Sequence, residues 1–176
     1  KQIGIKDFSI QAADIDERAL ARELPPAYAL RIAKKKAEKV GKQNENSFVL
    51  AADTVVACGR RIMPKAETEA EANSCLNLLS GRRHKVLGAV VIYSPNGTQI
   101  YRVVKSVVTF KKLTQEEINF YLKTREWEGK AGGYAIQGLA ATYIRSLNGS
   151  YSNVVGLPLY ETYQMLRGMG FNYKVP

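Results

Sequence analysis

Two long strand patterns, Val86 to Ser94 and Gln99 to Phe110, flank the tripeptide Pro95-Asn96-Gly97. That turn chemistry between two such runs predicts a β-hairpin, and the remaining elements are read around it. Upstream, Pro25-Pro26 opens a helical pattern in which Ala29, Ile32, Ala33, Lys36, Ala37 and Val40 share one face. Lys36 is thus the lysine of the Lys34-Lys35-Lys36 triplet that borders the apolar side. Phe48 to Ala52 is a short, continuously apolar run, the mark of a buried strand, and it leads directly into Asp53. Thr68 with Glu71 and Thr114 with Glu117 are capping boxes that start two helices. Ala141 to Leu147 reads as a strand, Asn148-Gly149 as a turn, and Pro158 to Leu166 as a last helix stopped by Gly168. Helices alternating with strands around one long hairpin predict an α/β fold with a mixed, twisted sheet and flanking helices.

At 176 residues the chain suits one domain, expected to span 1–176. No apolar run approaches the roughly 18 to 20 residues of a membrane-spanning helix. Lys1 to Ile10 lacks the apolar stretch of a signal peptide, so a cytoplasmic protein with no membrane partner is expected. Two cysteines, Cys58 and Cys75, and one histidine, His84, are too few for a disulfide framework, a four-ligand zinc site or a His-rich metal centre; the cysteines read as small buried residues.

The formal net charge of +10 favours polyanionic partners: nucleic acid, anionic membrane or phosphorylated small molecules. It is scattered through both halves with no basic tail. Lys34 to Lys36, Arg60-Arg61 and Arg82 to Lys85 are the densest clusters, each also compatible with a solvated face. Internal, dispersed charge fits a phosphate-binding cleft better than a duplex-binding face.

Asp53 is the first candidate for chemistry. A carboxylate at the end of an apolar strand lies where open α/β sheets place ligands, and an Asp capping the following turn reads equally well. Asp14-Ile15-Asp16-Glu17 gathers carboxylates that could hold Mg²⁺ or simply be solvated. Gly129-Lys130-Ala131-Gly132-Gly133-Tyr134 is glycine-rich but lacks the spacing and ending of a Walker loop, and no dinucleotide fingerprint follows a strand. Tyr143, Tyr151, Tyr160 and Tyr163 read as core and sheet packing, since they do not alternate with basic residues as a base-stacking platform would. Asn148-Gly149-Ser150 matches a glycosylation sequon but reads as a turn.

Seven stretches in one order make a more specific pattern. They are Asp14 to Glu17, Ala33 to Ala37, Ala52 to Val56, Pro64 to Glu67, Leu79 to Val86, Gly129 to Gly138 and Gly149 to Leu159. Over essentially its whole length the chain resembles the Maf family of nucleotide pyrophosphatases. The resemblance implies hydrolysis of a nucleoside triphosphate to monophosphate and pyrophosphate with a divalent metal cation, usually Mg²⁺. It also implies a mixed sheet bent around a deep cleft between two lobes, similar to the inosine triphosphate pyrophosphatases. Asp53, Thr54 and Gln137 match the branch acting on dTTP and UTP. A side-chain amide offers the donor and the acceptor that such a base presents in complement.

By the same resemblance Asp53 is the general base, Lys36 and Lys65 neutralise the triphosphate, and Glu17 joins Asp53 at the metal. Thr54, Gln137, Arg82 and Lys130 are substrate contacts. Members of the family carry a Ser-x-Ser-Pro-Arg-Arg loop and a strand just ahead of the segment matching Lys1 to Ile5. A chain starting at Lys1 is expected to lack that strand and those arginines and to have low or no activity. Either its natural start lies further upstream or it is a weakened homologue. Pro64-Lys65-Ala66 and Leu87 are smaller departures from the family pattern. Two other functions stay open at this stage: a non-catalytic nucleotide-binding regulator of septum formation and cell division, and a nucleic-acid-binding protein. A stable nucleic-acid partner is not expected; a homodimer is compatible with the fold.

Overall fold

The computed structural model describes residues 1–172, so the expected 1–176 span runs past the described part. In chain order the elements are α1 (Pro25–Gly41), β1 (Val49–Cys58), β2 (Arg61–Ile62), β3 (Lys65–Ala66) and α2 (Glu69–Leu79). These are followed by the hairpin β4 (Arg83–Tyr93) and β5 (Gln99–Phe110), then α3 (Gln115–Thr124) and β6 (Lys130–Ala131). A 3₁₀ helix (Leu139–Tyr143), β7 (Ile144–Asn148), α4 (Tyr151–Val155) and α5 (Leu159–Gly168) complete the described part.

The hairpin is where the sequence placed it, with Tyr93 opposite Gln99 and Gly97 at φ +80° in the turn. Both capping boxes form: Thr68 and Thr114 accept from the Glu71 and Glu117 amides, and those glutamates cap in return. The α/β architecture holds, but the expected mixed sheet does not. The five strands run β2-β1-β4-β5-β7, and every neighbouring pair is antiparallel. β3 and β6 form a separate two-stranded ribbon. The strand expected over Ala141 to Leu147 starts only at Ile144, because the chain first closes a 3₁₀ turn that seats Tyr143 in the core.

Helices cover both faces of the sheet. On one face α1 lays Ala29, Ala33 and Ala37 against Val55, Leu87, Ala89 and Val91. These small helical side chains let its backbone come close. On the other face α2 and α3 enclose the largest core, with Phe110, Tyr121, Trp127 and Tyr143, while α5 brings Met165 and Leu166 to Val90 and Ile92. α4 is pinned by one side chain. Asn153 is fully buried and donates to the Val86 and Val104 carbonyls and to Ser106 Oγ. It fits because Gly88 has no Cβ, which would stand 2.0 Å from Asn153 Oδ1. Of the four tyrosines expected inside, only Tyr143 is buried; Tyr163 is half-buried, and Tyr151 and Tyr160 are exposed. Cys75 is buried as expected, whereas Cys58 is half-buried at the end of β1.

β1 decides where a site can lie. One long edge pairs with β4 from Val49 to Ala57. The other pairs with β2 only at Ala57 and Cys58, so among the described residues no strand flanks Val49 to Val55 on that side. Asp53 sits in the middle of this strand, not at its end as the sequence suggested. The strand runs on through Thr54-Val55-Val56-Ala57 because those β-branched and small residues are themselves buried or half-buried.

Candidate active site

Strand alternation points Asp53 toward α1, on the face it shares with Ala89, its partner in β4. Helical spacing brings Lys36 to the same place: three residues beyond Ala33, it follows the apolar stripe of α1. Lys36 Nζ donates to Asp53 Oδ1 at 2.9 Å and lies 2.8 Å from Glu17 Oε1. The second oxygen of Glu17 accepts from Lys65 Nζ at 3.0 Å. Four charges thus alternate in a chain, Asp53–Lys36–Glu17–Lys65. Glu17 belongs to an irregular segment that is tied onto α1: Tyr28 Oη donates to the Glu17 carbonyl, Lys39 to the Asp14 carbonyl, and Arg31 to the Glu23 carboxylate.

Burial sets the electrostatics. It pushes the Asp53 carboxyl above its ordinary range, with Lys36 opposing and the Glu17 charge adding to the rise. Burial also works against ionised Glu17, yet hydrogen bonds from Lys36 and Lys65 outweigh it and hold that carboxyl below its ordinary range. Lys36 is kept protonated, since Asp53 and Glu17 overcome its own desolvation. Asp53 is therefore a desolvated base beside fixed cations, and it accepts a proton more readily than an exposed aspartate.

A cavity of about 320 Å³ opens beside this chain of charges, bordered by Lys36, Asp53, Thr54, Lys65, Lys130 and Gln137. Lys65 and Lys130 reach it from the β3-β6 ribbon, where Lys65 pairs with Ala131 and Ala66 with Lys130. Thr54 points to the opposite face from Asp53, and its hydroxyl donates to the Gly156 carbonyl at 3.2 Å. A wider cleft of about 1490 Å³ adjoins along the open edge of β1, and Lys36, Ala52, Gln137 and Val155 border both.

Of the residues singled out from the sequence, the fold thus gathers Glu17, Lys36, Asp53, Thr54, Lys65, Lys130 and Gln137. Arg82 is not among them: it is exposed in the connection between α2 and β4, at the far end of β4 from Ala89. Asp16 also turns away, pairing with Arg18 at 2.7 Å, whereas Asp14 borders the wider cleft. Sequence reasoning gave no role to Tyr134, Val154 or Gly156, all of which line the cavity. The first follows two glycines, and the others lie in a stretch rich in small residues, a pattern that signals close packing without telling which side chain faces the site.

The comparisons with known proteins place the chain in a family. The Maf family profile, described as Maf-like protein, matches residues 1–169. The chain belongs to the Maf family. A Paramagnetospirillum magneticum protein named dTTP/UTP pyrophosphatase is 54% identical over 171 residues, covering 97% of this chain and 90% of the relative. A Rhodospirillum rubrum protein of the same name is 54% identical over 170 residues, covering 97% and 81%. An Ehrlichia canis protein named nucleoside triphosphate pyrophosphatase is 51% identical over 166 residues, covering 94% and 86%.

The donor set limits how a metal could be held by this Maf-family chain. Among the described residues no three Asp, Glu, His or Cys side chains converge, whereas Asp53 and Glu17 share Lys36. Two carboxylates with phosphate oxygens and water fit Mg²⁺, which keeps much of its hydration, and do not fit a site built wholly from protein. No helix among the described residues is long and apolar enough to cross a membrane.

Proposed function

We propose that this Maf-family chain hydrolyses dTTP and UTP to the nucleoside monophosphate and pyrophosphate. Water adds at the α-phosphorus, the bond from that phosphorus to the bridging oxygen breaks, and pyrophosphate leaves. The observation that carries the reading is a buried Asp53, its carboxyl raised by desolvation, in a cavity bordered by Lys36, Lys65 and Lys130. The names of the similar proteins support the substrate choice.

In this reading Asp53 takes the proton of the attacking water. Lys36, Lys65 and Lys130 offset the charge that builds on the phosphate oxygens in a site partly shielded from water. The Lys36 and Lys65 ammoniums already hold the Glu17 carboxylate, so the triphosphate enters by exchanging with one anion and not by approaching bare cations. Asp53 and Glu17 would hold Mg²⁺, which supplies charge neutralisation at the phosphates. Gln137 meets the base with its amide, and Thr54 keeps the neighbouring Gly156 carbonyl in place. The net charge of +10 serves a small polyanion in this reading, and the protein works on free nucleotides in the cytoplasm as a single domain.

The test is pyrophosphate release from the common nucleoside triphosphates with Mg²⁺, with Asp53→Asn as the blank. Release from dTTP and UTP well above the others, lost in Asp53→Asn, is the expected result. Equal release from purine nucleotides overturns the substrate assignment, and an active Asp53→Asn protein overturns the role of Asp53. Nucleotide binding without release would point to a regulator instead.

A further inference from the structure

Gln137 sits in a segment without regular secondary structure, between β6 and the 3₁₀ helix, and its side chain is exposed. An exposed amide on an irregular segment is a poor reader of anything unless the main chain beneath it is held. Just beyond it one carboxylate does that and has no part in the chemistry above. Glu126, half-buried in the turn after α3, accepts from the Leu139 amide with Oε2 at 2.8 Å. Leu139 opens the 3₁₀ helix, so this bond satisfies a donor that has no partner within the helix.

The carboxyl also lies against Gly138. A Cβ there would stand 2.1 Å from Glu126 Oε2 and 2.5 Å from Cδ. Gly138 has φ −119° and ψ −153°, which any residue can adopt, so it is not the backbone conformation but the present place of the Glu126 carboxyl, which a Cβ would displace, that calls for glycine. Glu126 is held in turn by its own amide, which donates to Thr124 Oγ1 at 3.2 Å, and it forms no ion pair among the described residues.

We propose that Glu126 is a positioning residue for Gln137: by clamping Gly138 and Leu139 it fixes the direction from which the Gln137 amide meets the base. The proposal rests on the base-reading role given to Gln137 above. It makes the Glu126-Gly138 pair a determinant of how much the base, as distinct from the triphosphate, contributes to binding.

The experiment compares dissociation constants for UTP and for inorganic triphosphate, which has no base, in the full chain carrying Asp53→Asn to prevent turnover. Glu126→Ala is expected to weaken UTP by about tenfold or more while leaving inorganic triphosphate unchanged, since a misplacement on the order of 1 Å is enough to lose an oriented contact. Glu126→Gln keeps an oxygen that can accept from Leu139 and should retain most of the UTP preference. Gly138→Ala, which cannot coexist with the Glu126 carboxyl in its present place, should behave like Glu126→Ala. Equal weakening of both ligands in Glu126→Ala, as a general loss of structure would give, overturns the proposal. A preference lost in Gln137→Ala but intact in Glu126→Ala overturns the positioning role alone. A preference intact in both overturns the base-reading role on which it rests.

Discussion

The wall of the cavity around Glu17, Lys36 and Lys65 and the wall around Tyr134 and Gln137 are held by opposite means. The first is an alternating chain of charges, part of it carried by the irregular segment ahead of α1 and fastened by hydrogen bonds of 2.8 to 3.0 Å. The second is fixed by packing together with hydrogen bonds to single side chains, and it contains no ion pair among the described residues. Tyr134 packs edge-on against Phe110 and His84, its hydroxyl 2.8 Å from His84 Nε2. The Ala135 amide donates to Tyr121 Oη at 3.0 Å, and Gly132 lies where a Cβ would be 2.8 Å from Val56. Charged contacts can be exchanged for a polyanion that brings its own charges, whereas packed contacts cannot be exchanged without opening the core. In the reading given above, the phosphates meet the exchangeable wall and the base meets the pre-built one.

Changes of charge should therefore cost catalysis, and changes of volume should cost stability. The largest effect is expected from Lys36→Met, which removes the cation shared by Asp53 and Glu17. Pyrophosphate release should fall by roughly 10² to 10³-fold. The acidic limb of kcat/KM, already expected above the range of an exposed aspartate, should move to still higher pH, because the lost ammonium no longer favours the carboxylate. A pH–rate profile measured before and after the substitution checks both; an unmoved limb would show that Asp53 does not set it.

The packed wall has its own pH dependence. Burial holds the His84 imidazole down to about 4 from an ordinary 6.5. Between those values the unfolded chain binds a proton that the folded chain excludes. Stability is then complete above about pH 6.5 and is lost progressively toward pH 4, by on the order of 3 kcal/mol for this one group. Denaturant titrations across that range should show the slope, and His84→Phe should flatten it.

A methyl group is the next probe. Gly132 combines φ +72° with the close approach to Val56, so Gly132→Ala should destabilise by roughly 1 to 3 kcal/mol, read as a lower thermal midpoint. The smallest stability change is expected from Lys65→Ala on the charged wall. Its side chain is about half exposed, at 48%, so losing the pair with Glu17 should cost under about 1 kcal/mol, while KM for the nucleotide rises. A Lys65 variant that unfolds easily, or a Gly132→Ala protein as stable as the parent, would erase the contrast between the two walls.

What could be read in advance follows the same division. The hairpin, both capping boxes and the lysine of α1 that faces the sheet were legible, because a period of 2 or 3.6 and a capping pair are local properties. The position of Asp53 within its strand is not legible in the sequence, since the apolar run of Phe48 to Ala52 stops before the strand does, and Thr54 to Ala57 are held as strand by the pairing with β4. Arg82 shares a motif with Val86, which borders the cavity, but Arg82 lies just before the opposite end of β4 from the residues that pair along the site, and a strand holds its ends far apart.

The sequence by itself determined the type of the long helices and hairpin strands, the charges available to the site and the family, because each depends on neighbours in the chain or on the order of short motifs. Tertiary structure alone decided which of those charges meet. Asp53 and Glu17 are brought to one lysine only because a tethered irregular segment crosses α1. His84 and Glu126 gain their partners only when the core and the turn after α3 close on the glycine-rich segment. Contacts between residues far apart in sequence are set by how helices and strands pack, and packing is a property of the whole folded chain that no local window contains.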